Sequence, residues 1–546
     1  MIDPHALRIV PLGDRGLIVE LGDALAPEVN ARVRALAGRL RGLPGVEEAV
    51  PTLRSVLVIF DPLSTDMTLV AESVERHAAA LPVESGTVPR VIEVPVVYGG
   101  GAGPDLEEVA AGGGLTPDQA VRAHREVQYT VYMLGFTPGF PYLGILPEAL
   151  RAPRLPSPRL RVPPGSIGIA DVMTGIYPLS SPGGWRLIGR TPLPIYDAFA
   201  PDPVLLRPGD RVQFVPVQGA QFPELPQARP LRTPDHAVLE VRTPGLFTTI
   251  QDRGRSRYRS LGIPPAGAMD PLALGIANAA VGNASDASAL EFTAPGPALR
   301  VLDQITAAIS GADLSAAVDG RPLERNAPVT LRPGQMIEFG APRAGVWGYL
   351  AIAGSFEARR VLGSSSTFVP GMLGGSAGRR LRAGDVLGTA GVSSRRGRTF
   401  SADSVPLPRQ EMTVRVIPGP QDEWLTEEAR AGLLKEVYRI SLNSDRAGAR
   451  LSGRALAHRT TGDFLSDGVL PGAIQVPSGG EPIVIMPDGP TTGGYPKAAA
   501  VISADVRFVA QARPGTQIRF RAVTMDEALD ALRRERESYG QPADTR

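Results

Sequence analysis

The chain of 546 residues is long enough for several cores, about three or four at roughly 150 residues each. Its 43% hydrophobic and 21% charged residues are ordinary for a soluble globular protein, and a net charge of +1 with dispersed basic residues argues against a nucleic-acid surface. With no cysteine, no apolar run of about 18 residues and no signal-like N-terminus, the expectation is a soluble cytoplasmic protein without disulfides, thiolate metal sites or membrane spans.

High Gly and Pro content without a collagen-like period points to many short strands and turns. Only Lys435 and Lys497 are lysines, and neither has the Met neighbours of a biotinyl hairpin, so covalently attached biotin is not expected on this chain.

Residues 1–88 alternate extended and helical patterns: RIVPLGDRGLIVEL, then APEVNARVRALAGRL with Val29, Val33, Leu36 and Leu40 as an apolar stripe, then VEEAV, SVLVIF and TDMTLVAESVERHAAAL, and the extended VIEVPVVYG (Val91 to Gly99) follows directly. The order β-α-β-β-α-β predicts a small ferredoxin-like α+β subdomain. After a Gly-rich break, Thr116-Pro117-Asp118-Gln119 is a capping box opening a short helix to about Arg125. Short runs divided by Pro and Gly then predict an antiparallel barrel over 89–216, followed by a Pro- and Gln-rich linker at 217–236.

Beyond the linker, two further barrels are expected at 237–400 and 401–530, then a polar tail at 531–546. Four turns echo one another: LLRPGDRVQF (Leu205 to Phe214), TLRPGQMIEF (Thr330 to Phe339), RLRAGDVLG (Arg380 to Gly388) and QARPGTQIRF (Gln511 to Phe520). Pro-Gly at the centre of the RPG turns is a type II signal, and the alternation after it predicts a strand. VPPGS (Val162 to Ser166) before Tyr177-Pro178 is echoed by VPSGG (Val476 to Gly480) before Tyr495-Pro496, so related barrel units are expected on both sides of the linker. Asp270-Pro271 starts a helix that is apolar nearly all round, which should be buried, with Asn278 needing an internal partner.

No nucleotide-binding loop, zinc motif or nucleophile elbow is present. The density of Gly, Pro and aromatics in GFTPGFPYLG (Gly135 to Gly144), PRLRVPPGSIGIAD (Pro158 to Asp171) and YPLSSPGGWRLIGRT (Tyr177 to Thr191) fits a ligand site, or tight barrel corners. His124 lies near that loop, as an acid/base or as a helix-end residue. TTIQDRGR (Thr248 to Arg255) offers an anion clamp or a surface ion pair, and SDRAGARLSG (Ser444 to Gly453) a site or a salt bridge. DGPTTGGYP (Asp488 to Pro496) exposes backbone N–H groups able to cradle an oxyanion, and Asp467 and Asp488 are possible carboxylates for a nucleotide-bound metal.

These residues carry a resemblance over nearly the whole chain. Through GFTPGFPYLG, VPPGSIGIA, SPGGWRLIGRT and RPGDRVQF the first half resembles the B subunit of bacterial ATP-dependent 5-oxoprolinase, in a family that includes allophanate hydrolase subunit 1 and sporulation kinase inhibitors. Through TTIQDRGR, GAMD, VLGSSST, PGPQ, SDRAGARLSG, GAIQVPSGG and TTGGYP the second half resembles the C subunit of the same enzyme, which is related to the carboxyltransferase domain of urea amidolyase. The sequence departs from that pattern at Arg257, where Gly is expected, at Ser365, where Arg is expected, and at Ala447 and Ala449.

The resemblance implies a mainly β fold of several cyclophilin-like barrels with the α+β cap. It implies ATP-dependent opening of 5-oxo-L-proline to L-glutamate, with ATP, Mg2+ and a separate A subunit of 5-oxoprolinase as partner. It also leaves open a biotin-dependent carboxyltransferase supplied with carboxybiotin by another protein, or a regulator of a histidine kinase. The candidate catalytic groups are His124, Asp252 and Tyr495, with no metal ligands. Candidate substrate and ATP contacts are Phe136, Pro138, Gly139, Phe140, Ser166, Ser181, Gly184, Trp185 and Arg190 in the first half. Those in the second are Gln251, Arg253, Arg255, Asp270, Asp445, Arg446, Arg450, Gln475, Thr491, Thr492, Gly493 and Gly494.

Overall fold

The computed structural model describes residues 7–81, 88–222, 230–391, 396–460 and 464–538. The N-terminal cap is a four-stranded antiparallel sheet ordered Arg8–Pro11, Gly16–Glu20, Ser55–Phe60, Val46–Pro51. Helices Pro27–Leu40 and Met67–Ala79 cover one face, packing Val33, Leu36, Val70 and Val74 on Val56, Val58 and Phe60. The alternate residues Ile18, Leu57 and Ile59 point the other way and pack on Val469, Leu470, Ile485 and Ala500 of the second half. Burial of both faces explains why SVLVIF is apolar without alternation.

The cap order differs from expectation. Gly13 turns left-handed at φ 67 and splits the first extended run into a hairpin, and Val91–Tyr98 leaves the cap to join a barrel, giving ββαββα.

Two closed seven-stranded barrels follow. In chain order the first comprises Val91–Tyr98, Gln128–Leu134, Pro141–Gly144, Ser166–Ala170, Met173–Ile176, Arg186–Arg190 and Arg211–Pro216. The second comprises Glu411–Pro418, Tyr438–Ile440, Gly448–Ser452, Ala473–Gln475, Ile483–Ile485, Lys497–Val501 and Gln517–Ala522. In both, the first strand pairs in parallel with the seventh and antiparallel with the sixth, and the seventh pairs with the second.

This shared closure gives the RPG echo its meaning, because RPGDRVQF and RPGTQIRF are the turns into the two seventh strands, with Gly209 at φ 98 and Gly515 at φ 87. The VPPGS and VPSGG echo is not an equivalence: one enters a fourth strand and the other leaves one. The counterparts in chain order are the connections between fifth and sixth strands, which contain SSPGGW (Ser180 to Trp185) and TTGGYP (Thr491 to Pro496).

Among the described residues, the unit between the barrels is two open sheets rather than the closed barrel expected at 237–400. It has a six-stranded sheet containing Ala237–Thr243 and Ala298–Val301 and a five-stranded sheet containing Phe247–Gln251, Ala289–Thr293 and Ala344–Ile352, with one core between them. The outer face of the five-stranded sheet meets helix Pro271–Ala280, which packs in one core with the second barrel and is therefore apolar all round. Asn278 finds internal partners in Ala287 O, at 2.7 Å, and Asn283 Nδ2, at 3.1 Å. The expected polar tail begins inside helix Met525–Ser538, where Ala531 and Leu532 are buried and Arg536 pairs with Asp61 of the cap at 2.8 Å.

The capping box forms, with Thr116 Oγ1 accepting from Gln119 N and Gln119 Oε1 accepting from Thr116 N. At the end of that helix His124 enters the first barrel's core. It is fully buried, stacks on Phe214 at 4.5 Å, and bonds Tyr98 through Nδ1 at 2.9 Å and Thr174 through Nε2 at 3.2 Å. The expected acid/base is therefore a core residue, because its ring is apolar enough to pack once both nitrogens have partners.

Burial holds its pKa down at about 3. A base depressed in the fold stays neutral there while the unfolded chain charges near pH 6.5, so this stabilisation is complete above that pH and is lost as pH falls towards 3. His124→Gln should flatten the fall of melting temperature between pH 6.5 and about 4 compared with the parent chain. Parallel slopes for the two proteins would contradict the buried neutral state.

Candidate functional site

The loop Gly135 to Phe140, between the second and third strands of the first barrel, meets the TTGGYP connection of the second barrel. Phe136 N donates to Thr492 Oγ1 at 3.3 Å. A Cβ on Gly135 would lie 1.8 Å from that same oxygen, so only glycine permits the approach. Phe136 itself sits at φ 62, a left-handed conformation uncommon for a bulky residue, and remains 40% exposed. Behind it Phe140 centres an aromatic cluster, edge-on to Tyr142 at 5.1 Å, Tyr177 at 5.1 Å and Trp185 at 5.4 Å. Tyr142 shares hydrogen bonds with Ser466 and Thr492, and burial raises its pKa.

On the other side, Thr492–Gly493 pairs antiparallel with Asp467–Gly468. A Cβ on Gly493 would come within 2.5 Å of Gln475 Nε2, which donates to Tyr495 O at 3.4 Å. Tyr495 is 45% exposed beside this seam.

Asp467 lies beneath the loop. It accepts from Ser55 Oγ and Thr52 Oγ1 of the cap, from Gly468 N at 2.7 Å, and from Gln421 Nε2 at 3.4 Å. Lys497, completely buried, places Nζ 3.5 Å from Asp467 and 5.2 Å from the centre of the Phe464 ring. Burial lowers the Lys497 pKa, while Asp467 opposes that shift.

The seam thus gathers Phe136, Phe140, Trp185, Gln475, Thr491, Thr492, Gly493, Gly494 and Tyr495 from the expected set. It adds Thr52, Ser55, Tyr142, Gln421, Ser466 and Lys497, which motif reading passed over. Lys497 carried one signal: it is a rare lysine placed directly after TTGGYP in a chain whose other cations are almost all Arg.

Within the first barrel, Pro138 is buried and Gly139, at φ 76, donates to Leu261 O at 2.9 Å. Ser166 is buried at the start of its strand, Ser181 pairs with Val162, and Gly184 O accepts from Leu155 N at 2.7 Å. Arg190 donates to Pro164 O at 2.8 Å and covers the Phe222 ring.

Asp252 has a different role from the one expected. Its carboxylate accepts from Gly254 N, Ser364 Oγ, Ser365 N, Ser365 Oγ and Ser366 Oγ at 2.5 to 2.9 Å. A carboxylate offers about four lone-pair directions, so none is left for a substrate. It knots the Thr248 to Arg255 segment to the serine loop, while Gln251 holds Thr249 and Thr367 and Arg255 donates to Ser366 O. Arg253 is exposed next to the knot.

Asp270 and Arg446 are each held by other groups inside the molecule. Arg446 binds Asp488 through two bonds at 2.8 and 2.9 Å, Glu291, and Gly267 O at 2.7 Å, while Asp270 binds Arg507 and Gln511, each at 2.9 Å. Asp445 accepts from Ala447 N and Gly448 N, closing its own loop, and Arg450 is exposed on its strand. Asp467 and Asp488, considered for a metal, are each committed to a cation of this chain. Among the described residues no group of three His, Asp or Glu could hold a metal ion.

Residues 7–206 match the family described as carboxyltransferase domain, subdomain C and D, and residues 261–522 match carboxyltransferase domain, subdomain A and B. The first half is 46% identical over 211 residues to the 5-oxoprolinase B subunit of Escherichia coli O157:H7, covering 38% of this chain and 94% of that protein. The second is 36% identical over 302 residues to the 5-oxoprolinase C subunit of Escherichia coli K12, covering 55% of this chain and 96% of that protein.

Among solved structures, TTHA0988 superposes with a TM-score of 0.84 at 38% identity over 93% of this chain and 99% of its own, so the joined arrangement of both halves recurs there. The urea carboxylase of Kluyveromyces lactis matches with a TM-score of 0.53 at 30% identity, over 56% of this chain and 29% of its own. This chain belongs to the carboxyltransferase-domain family of the 5-oxoprolinase B and C subunits, with a B-like and a C-like half in one polypeptide.

Proposed function

We propose that this chain is the fused B and C component of an ATP-dependent 5-oxoprolinase, working with a separate A subunit, and that the seam between its barrels is where the lactam sits. The observation that carries this reading is the Phe136 to Thr492 contact: halves that resemble two subunits of one enzyme bring their Gly-rich loops together at one place.

The chemistry suits the seam. The lactam oxygen takes a phosphoryl group from ATP. Water then adds at the activated carbon, and the ring nitrogen leaves with a proton to give an acyl phosphate. A second water releases phosphate and L-glutamate.

An uncharged lactam ring needs an apolar wall, which the exposed Phe136 ring supplies with the buried Phe140 and Tyr177 rings packed behind it. Negative charge developing on the activated group needs fixed donors, a role that falls to the half-buried Gly493 and Gly494 backbone of the TTGGYP connection. Lys497 acts through position: paired with Asp467, it holds the TTGGYP connection against the cap. ATP with Mg2+ would bind away from Asp467, which already has its partners in the seam.

Incubating 5-oxoproline and ATP with this chain should release glutamate only when the A subunit is also present. If that partner binds and glutamate is still not released, the reading fails, and transfer of a carboxyl group from carboxybiotin becomes the reaction to assay. Gly135→Ala should lower kcat/KM for glutamate release by about 100-fold, the cost expected for a displacement of roughly 1 Å at a reacting centre. An activity within about twofold of the parent would place the site elsewhere.

A further inference from the structure

A second cleft, of about 700 Å³, opens where the cap, the first barrel and the two-sheet unit meet. Arg34 and Arg41 line it from the cap, Arg207 from the first barrel, and Arg257 and Tyr258 from the two-sheet unit.

The acids on its walls are already occupied. Glu47 pairs with Arg15 at 2.7 Å, Glu48 with Arg259 at 2.9 Å, and Asp202 with Arg207 at 2.5 Å. Among the described residues, Arg34, Arg41 and Arg257 have no carboxylate within ion-pair distance. Arg34 spends Nε on Asn30 Oδ1 at 3.0 Å, and its burial lowers its pKa, so its terminal nitrogens are partly withdrawn from water without an anion to compensate.

Arg257 is held at φ 74, a backbone conformation that strains any side chain and that glycine adopts freely. Strain of this kind persists where the surroundings impose it, and it clusters at ligand sites. Here it places Arg257 on the cleft wall.

We propose that this cleft binds the phosphate chain of a nucleoside di- or triphosphate. Three arginines with no carboxylate partner line one concavity, and their planar forks suit phosphate oxygens. The volume lies within the usual range for small-molecule sites, and the half-buried Tyr258 offers a ring for the base. The inference rests on the oxoprolinase reading only in that such an enzyme needs a place for ATP; the cleft adjoins the seam loop, since its lining residue Leu261 accepts from Gly139 N at 2.9 Å, and binding is measured without turnover.

The test is isothermal titration of the full chain, with neither the A subunit nor lactam present, using ATP, pyrophosphate and citrate in separate runs at low salt. Saturable binding of ATP and pyrophosphate is expected, with citrate weaker. Arg257→Gly and Arg41→Gln should each weaken ATP binding by about 10-fold, the loss of one charge-assisted hydrogen bond. Arg257→Gly should do so with an equal or higher melting temperature, because glycine relieves the left-handed backbone, and this separates lost binding from lost folding.

Absence of ATP and pyrophosphate binding at millimolar concentration would overturn the proposal. So would unchanged affinity in both variants, which would move the nucleotide elsewhere, or citrate binding as tightly as pyrophosphate, which would reduce the cleft to an unselective anion trap. Glutamate release that fails while ATP still binds would count against the oxoprolinase reading alone.

Discussion

The second apolar face of the cap sheet is the constraint on which the rest of the architecture depends. One face of that sheet is closed by its own helices, and the other presents Ile18, Leu57 and Ile59 to the second half of the chain. Leu470, Val469 and Ile485 of that half cover them, at roughly 1.5–3 kcal/mol for each large side chain fully removed from water. The fit is close: a Cβ on Gly468 would lie 2.5 Å from Leu57 and one on Gly16 2.6 Å from Leu470. Once these surfaces are joined, Ser55 and Thr52 reach Asp467, Ser503 reaches Asp14 at 2.9 Å, and the two Gly-rich loops are brought into register. The covalent linker then adds effective concentration to an interface that is specific by itself.

A second joint, inside the C-like half, is built from charge. Burial would pull the Arg446 pKa down, but Asp488 and Glu291 outweigh it and hold the guanidinium charged. Asp270 at the start of the buried helix pairs in the same way with Arg507. Such groups are costly to bury singly and tolerable only when their hydrogen bonds are made, so the two-sheet unit and the second barrel have one well-defined docking arrangement. The seam loop TTGGYP follows shortly after Asp488, so this joint also fixes the loop's starting point.

Features whose physics is local were legible in the sequence. The Thr116 capping box, the Asp270 cap and the repeated RPG turns needed only a few neighbouring residues, and the first and last of those turns led to two barrels closed in the same way. What was not legible depended on long-range partners. Val91–Tyr98 reads as one more strand of the cap, because nothing in its own sequence reveals that its partner is Arg211–Pro216, far along the chain. His124 and Asp252 looked chemical because titratable groups near Gly-rich loops often are. Whether such a group faces a ligand or a set of protein donors depends on a distant loop such as Ser364 to Ser366. Lys497 was passed over for the converse reason: a lysine beginning an apolar strand gives no hint that Asp467 and Phe464 will enclose it.

The lactam is proposed to occupy the seam shared by the two barrels. A structure of the chain with its partner subunit, 5-oxoproline and a non-hydrolysable ATP analogue tests it most directly. The lactam is expected between the Phe136 loop and the Thr492 to Tyr495 segment, touching residues of both halves. A lactam bound wholly within one half, for instance against the Asp252 knot, would contradict it.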